Sequence, residues 1–144
     1  VAHAMAYYKT LLVLDPKDHI AIAGLLSLNR ADNHTRTISL VKQLLKQNPS
    51  ASLYFLLGNL YSTSKSWPEA QAAYFEAWNR DSTRPDYAYN LAVSLDSLNQ
   101  PSNALNYYRI ALKLSSSNIA RFKRSTLVRR MRELSRQSRS GRIR

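Results

Sequence analysis

The chain has 144 residues, is 44% apolar and lacks cysteine, which predicts one domain with a real core and excludes disulfides, thiolate metal sites and a cysteine nucleophile, while leaving the compartment open. Its formal charge of +12 is uneven: the stretch from Ala51 to Ser115 is balanced, whereas after it ten basic residues face Glu133 alone. No run approaches the roughly 18 apolar residues of a membrane helix and no signal peptide is visible, and a start at Val1 instead of Met reads as a processed or excised piece, with any anchor or further domain upstream of it.

The first predicted element is a helix over 3–14, in which Ala4, Tyr8 and Leu11 share one face and Pro16 after Asp15 stops the run. Part of its apolar face is expected to be bare. Residues 17–50 follow with two helices, IAIAGLLSL and TISLVKQLLKQ, joined by the turn formers of ADNHT and closed at Asn48-Pro49. In residues 51–84 a second pair is expected, with Ser66 as the N-cap of its second helix and Pro68 and Glu69 in the first turn. Residues 85–118 hold a third pair, whose second helix is NALNYYRIALKL after Pro101. Beyond Asn118 the pattern changes. Ile119 and Phe122 open a capping segment, a break is expected at 123–125, and a helix over 126–136 capped by Ser125 precedes a basic flexible tail, 137–144.

Laying residues 51–84 over 85–118 without a gap puts Leu57 on Leu91, Gly58 on Ala92, Ala70 on Ala104, Tyr74 on Tyr108 and Ala77 on Ala111. Small residues recur where backbones approach closely and bulky ones where the space beside them is filled. The 34-residue period, with Tyr54, Leu57, Gly58, Tyr61, Ala70, Tyr74 and Ala77 in one unit, resembles the tetratricopeptide repeat (TPR), a pair of antiparallel helices stacked on the next pair. The second unit departs from the family pattern at Ala88 and Leu95. The resemblance implies an all-α helix-pair solenoid: a half repeat over 1–16, repeats over 17–50 (degenerate), 51–84 and 85–118, a capping segment over 119–136 and the tail.

The resemblance also implies a non-enzymatic protein-binding module. In this family the first helices line a concave groove, and the ligand-contacting positions carry over to Ser52, Phe55, Asn59, Ser62 and Thr63 in one unit and to Asp86, Tyr89, Val93, Asp96 and Ser97 in the next. Phe55 and Tyr89 are expected side by side as an aromatic platform, with Asn59 and Asn90 beside it, suited to a peptide with apolar or aromatic side chains. The alternative is an ordinary helix face covered by the C-terminal segment. Tyr8, Tyr54, Tyr61, Tyr74 and Tyr108 fall at packing positions and are read as core. His3, His19 and His34 are isolated, carboxylates are sparse, and no glycine-rich phosphate loop exists, so no metal, cofactor, small-molecule substrate or catalytic residue is expected.

On helix 126–136, Leu127, Met131 and Leu134 form an apolar side expected to dock on the last repeat, opposite Arg129, Arg132 and Arg136, with Val128 and Arg130 at the borders. Together with Arg139, Arg142 and Arg144 these arginines form a basic patch open to an acidic protein, nucleic acid or an anionic membrane surface. The stretch RFKRSTLVRRMREL is similar to the tails of TPR proteins that help assemble bacterial type IV pili. That likeness implies a role in a pilus or secretion complex and a membrane-associated bacterial setting. Self-association through the uncovered N-terminal half repeat is a further expectation.

Overall fold

The computed structural model describes residues 1–15, 17–28 and 33–141, apart from the side chain of His19. Pro16, the Ala31-Asp32 part of the first loop, Arg142 and Arg144 lie outside the described residues. Those described form eight α-helices and no strand: α1 (Ala2–Leu14), α2 (His19–Ser27), α3 (His34–Gln47), α4 (Ala51–Thr63), α5 (Trp67–Arg80), α6 (Pro85–Ser97), α7 (Pro101–Leu114) and α8 (Arg124–Gly141). The contacts divide the chain into two compact units, Val1–Arg80 and Asp81–Arg144.

In the first unit α4 and α5 pair closely, α3 packs on α4, and α1 packs on α2 and α3. Leu12, Leu25, Val41, Leu44, Leu53, Leu56 and Leu60 join in one buried cluster, with Tyr8, Tyr54 and Tyr61 partly buried against it. Two glycines set the closest approaches. A β-carbon on Gly58 would lie 2.5 Å from the Tyr74 ring, and one on Gly24 would lie 2.2 Å from the Tyr8 ring. Each tyrosine therefore rests on bare backbone. Asp18 caps α2, its Oδ1 accepting the N–H groups of Ile20 (2.9 Å) and Ala21 (3.0 Å), and the Ser50 hydroxyl caps α4 by accepting from Leu53 N–H at 3.2 Å. Tyr7, Val13 and Leu14 of α1 are exposed, as is Val1 before it, while Ala4, Tyr8 and Leu11 of the expected packing face are half-buried.

The second unit is built on the α6/α7 pair, with α8 laid against α7. Leu91, Ala92 and Leu95 of α6 and Ala104, Tyr108 and Ala111 of α7 are buried, as are Leu127 and Leu134 of α8. Pro85 and Pro101 open their helices, where the missing N–H costs nothing.

The 34-residue period is also written in the backbone turns. At the end of α4, Lys65 N–H donates to Ser62 O (3.0 Å) and Ser66 N–H to Tyr61 O (2.9 Å); one period on, Asn99 N–H donates to Asp96 O (3.1 Å) and Gln100 N–H to Leu95 O (3.0 Å). Lys65 and Asn99 take the left-handed conformation that this helix ending needs, with φ of 57° and 58°. Neither is glycine, so little in the sequence marks them. Ser66 stands ahead of α5 as expected, its carbonyl accepting Ala70 N–H at 2.9 Å, while its hydroxyl lies 3.1 Å from that of Ser64.

The C-terminal segment departs from expectation at both ends. Helix α8 begins at Arg124, with Leu127 N–H already bonded to Lys123 O at 3.1 Å, so Ser125 lies inside it. It continues to Gly141, through residues expected to be a mobile tail. Gln137 and Arg139 are good helix formers, no proline interrupts 137–141, and the Ser140 hydroxyl bonds back to the Arg136 (3.0 Å) and Gln137 (3.2 Å) carbonyls, so the helix runs on until Gly141.

Two substitutions test this packing. Gly58→Ala drives a methyl into the Tyr74 ring and is expected to lower stability by about 1–3 kcal/mol in chemical denaturation; a loss below about 0.5 kcal/mol contradicts the close approach. Lys65→Gly relieves a left-handed L-residue and is expected to raise stability by up to about 1 kcal/mol; a loss of stability means that the lysine is not held at positive φ.

Candidate functional site

The residues expected to meet a ligand lie on α4 and α6, one in each unit. On α4 the Phe55 ring leans on the ring of Tyr74, centroids 5.7 Å apart and planes at 49°. The Tyr74 hydroxyl donates to Asn59 Oδ1 (2.8 Å), with Ser62 Oγ a longer second acceptor at 3.2 Å. Burial pushes this hydroxyl up to about 12, against the opposing effect of the Ser62 bond. It stays a neutral donor throughout the physiological range. The hydroxyls of Ser62 and Thr63 turn back onto the Asn59 carbonyl at 2.9 and 2.7 Å. Phe55, Asn59, Ser62 and Ser52 are half-buried and Thr63 is exposed.

On α6 the same arrangement recurs one period later. Tyr89 leans on Tyr108 with centroids 5.8 Å apart and planes at 55°, and the Tyr108 hydroxyl donates to Asp96 Oδ2 at 3.1 Å, where its counterpart Tyr74 meets Ser62. Burial, reinforced by the negative charge of Asp96, raises the Tyr108 hydroxyl well above the usual phenol range, and burial raises Tyr89 as well. Asn90 donates its side-chain N–H to the Asp86 carbonyl at 2.9 Å, and Ser97 bonds back to Val93 O at 2.9 Å. Phe55 and Tyr89, expected side by side, belong to different units and are each placed within their own.

On α6 the C-terminal segment covers part of this face, the alternative that the sequence also offers, through contacts that no sequence pattern marks. Phe122 stacks on Tyr89, centroids 4.5 Å apart and planes at 20°. Arg121 N–H donates to Asp86 Oδ1 at 2.9 Å. Arg130, expected in the basic patch, grips Asp96 with two parallel bonds, Nε to Oδ2 and Nη2 to Oδ1, both 2.7 Å, while its Nη1 donates to Glu133 Oε2 at 2.9 Å. The bonds to Asp96 and then Glu133 raise the arginine's already high pKa. Three of the expected ligand positions on α6 are thus met by the chain's own C-terminal segment.

Magnitudes separate what holds α8 from what orients it. Leu127 and Leu134 are each 1% exposed, and burying two leucines contributes at most about 3–6 kcal/mol. The Arg130–Asp96 side chains remain 37% and 16% exposed, so solvent screens their attraction, and a bidentate charged bond there contributes about 1–2 kcal/mol. The leucines attach the helix. The ion pair fixes its register.

Arg129, Arg132, Arg136 and Arg139 are exposed. Arg132, Arg136 and Arg139 line, with Arg109 of α7, a cleft of about 360 Å³ between α7 and α8 that Leu112, Val128 and Met131 also line. Met131, expected to dock beside Leu127 and Leu134, is only half-buried. No group of three or more His, Cys, Asp or Glu able to hold a metal occurs among the described residues.

No protein-family model matches the chain, and no curated protein matches it. Solved structures do. YrrB, a TPR protein with an unusual peptide-binding site, is 23% identical with a TM-score of 0.61 over 76% of this chain, which spans 57% of the length of YrrB. MamA from Desulfovibrio magneticus RS-1 is 18% identical with a TM-score of 0.63 over 83% of this chain and 68% of its own. TTC0263, a thermophilic TPR protein of Thermus thermophilus, is 19% identical with a TM-score of 0.64 over 91% of this chain and 71% of its own. At these identities the likeness speaks for the fold, an all-α helix-pair solenoid of the TPR type.

Asp96→Asn keeps the shape and removes the charge that Arg130 grips. It is expected to lower stability by about 1–3 kcal/mol, and Arg130→Met added to it should cost little more. Fully additive losses in that double-mutant cycle mean that the two side chains do not act together.

Proposed function

We propose that the chain is a non-enzymatic protein-interaction scaffold that holds a partner peptide or segment on the first-helix faces of its repeats. The contacting residues are Ser52, Phe55, Asn59, Ser62 and Thr63 on α4, and Asp86, Tyr89, Asn90, Val93 and Asp96 on α6. One observation carries this reading. Phe55 and Tyr89 occupy equivalent places in successive repeats, each braced at nearly the same distance and tilt by a buried tyrosine beneath it. An aromatic ring fixed in advance on a half-open helix face binds an apolar side chain with little ordering cost, which is how aromatic anchors become hot spots. Asn59 supports it, since its oxygen is engaged by Tyr74 and its side-chain nitrogen remains a donor for a peptide carbonyl.

On α6 a partner would meet the C-terminal segment first, so α4 carries the more accessible half of the surface. Self-association through the bare apolar side chains of α1 belongs to the same reading. A place in a bacterial pilus or secretion complex rests on the likeness of RFKRSTLVRRMREL alone.

Selection of a displayed peptide library on the full chain is expected to enrich sequences with apolar or aromatic residues. Phe55→Ala should weaken those peptides about tenfold or more while lowering stability by only about 1 kcal/mol, the worth of the ring pair with Tyr74. Failure to enrich any peptide, or equal binding by Phe55→Ala, rules against the α4 face.

A further inference from the structure

We propose that the cleft between α7 and α8 is a second docking surface, which takes a helix of a partner protein bearing an apolar stripe flanked by acidic residues. The cleft has a half-buried apolar floor of Leu112 from α7 and Val128 and Met131 from α8. Its rim is four exposed arginines: Arg109 on one helix, and Arg132, Arg136 and Arg139 on the other. No acidic residue lines it, and among the described residues none of the four arginines pairs with a carboxylate. Glu133, the one acid on α8, is spent on Arg130 on the other side of the helix.

Charge and shape together select the occupant. Arg132, Arg136 and Arg139 recur at spacings of three and four residues, so they line one edge of α8 while Arg109 stands on the opposite wall. A helix laid between the walls would seat aliphatic side chains on the floor and present glutamates or aspartates to guanidinium groups on both sides, where bidentate pairing is available. A second copy of this chain fits poorly. It is strongly basic, the acids of α6 are engaged by Arg121 and Arg130, and Glu76 of α5 is paired with Arg80. Nucleic acid would set phosphates against the rim but leave the aliphatic floor unmatched, and no aromatic residue lines the cleft to stack a base. A bilayer surface would meet the arginines without reaching the recessed floor.

This surface lies on the α7/α8 side of the second unit and does not depend on the α4 face. The test uses the full chain and a labelled synthetic helical peptide with leucines at i, i+3, i+4 and i+7 flanked by glutamates. One matched peptide replaces glutamate by glutamine and another replaces leucine by alanine. Fluorescence anisotropy at physiological salt is expected to show the parent peptide binding about tenfold or more tighter than either match. Arg132→Glu with Arg136→Glu, and separately Arg109→Glu on the other wall, should each weaken it about tenfold with an unchanged thermal midpoint. Lys123→Glu with Arg124→Glu makes the same charge change outside the cleft and should leave binding within about twofold, as should Phe55→Ala. Equal binding of the three peptides overturns the proposal. So does equal weakening by the two paired charge reversals, or preferential binding of duplex DNA or phosphatidylserine vesicles by the same arginines.

Discussion

A tyrosine ring packed against backbone that has no β-carbon is the contact on which the first unit depends. With Gly58 against Tyr74, α4 and α5 approach closely, and Leu53, Leu56, Leu57 and Leu60 of α4 are buried beside that contact. The ring's position then dictates the rest of the face. Its hydroxyl reaches Asn59 and Ser62, and its ring braces Phe55, so the side chains proposed to meet a ligand take their geometry from a packing contact beside them.

One position shows how the two repeats diverge. Ser62 and Asp96 are equivalent by the period, and each receives the hydroxyl of its repeat's core tyrosine. A serine there accepts that hydroxyl and donates its own to the Asn59 carbonyl, and carries no charge. An aspartate makes the same bond and adds a negative charge at the surface, and that charge holds Arg130 of α8. The inner geometry of the two repeats stays alike while the outer face of the second acquires a lid.

The fold was legible in the sequence because its signals are local and repeated. The small residues at Gly58, Ala70, Ala77, Ala92, Ala104 and Ala111, and the tyrosines at 74 and 108, are constrained by contacts that recur every 34 residues, so the pattern survives in the letters. Lys65 and Asn99 were illegible because a left-handed helix ending accepts residues other than glycine at modest cost. The contacts of the C-terminal segment were hidden for another reason. Asp86, Asp96, Phe122 and Arg130 are ordinary surface residues until the chain folds back over 33 to 35 positions, and no motif announces that return. The same lack of pattern placed Arg130 with the free arginines and Arg109 with the balanced charges.

The attachment of α8 has a consequence for motion. A segment held by two leucines, the stacked ring of Phe122 and one screened ion pair should open at a lower free energy than the α6/α7 pair beneath it, which would give the second unit two tiers of hydrogen-exchange protection. Opening of the outer tier alone bares Asp86, Tyr89 and Asp96 while the helix pair stays folded. The exposed lifetime of the α6 face is then governed by a local equilibrium that ionic strength shifts through Arg130, independently of the core that keeps the repeat intact.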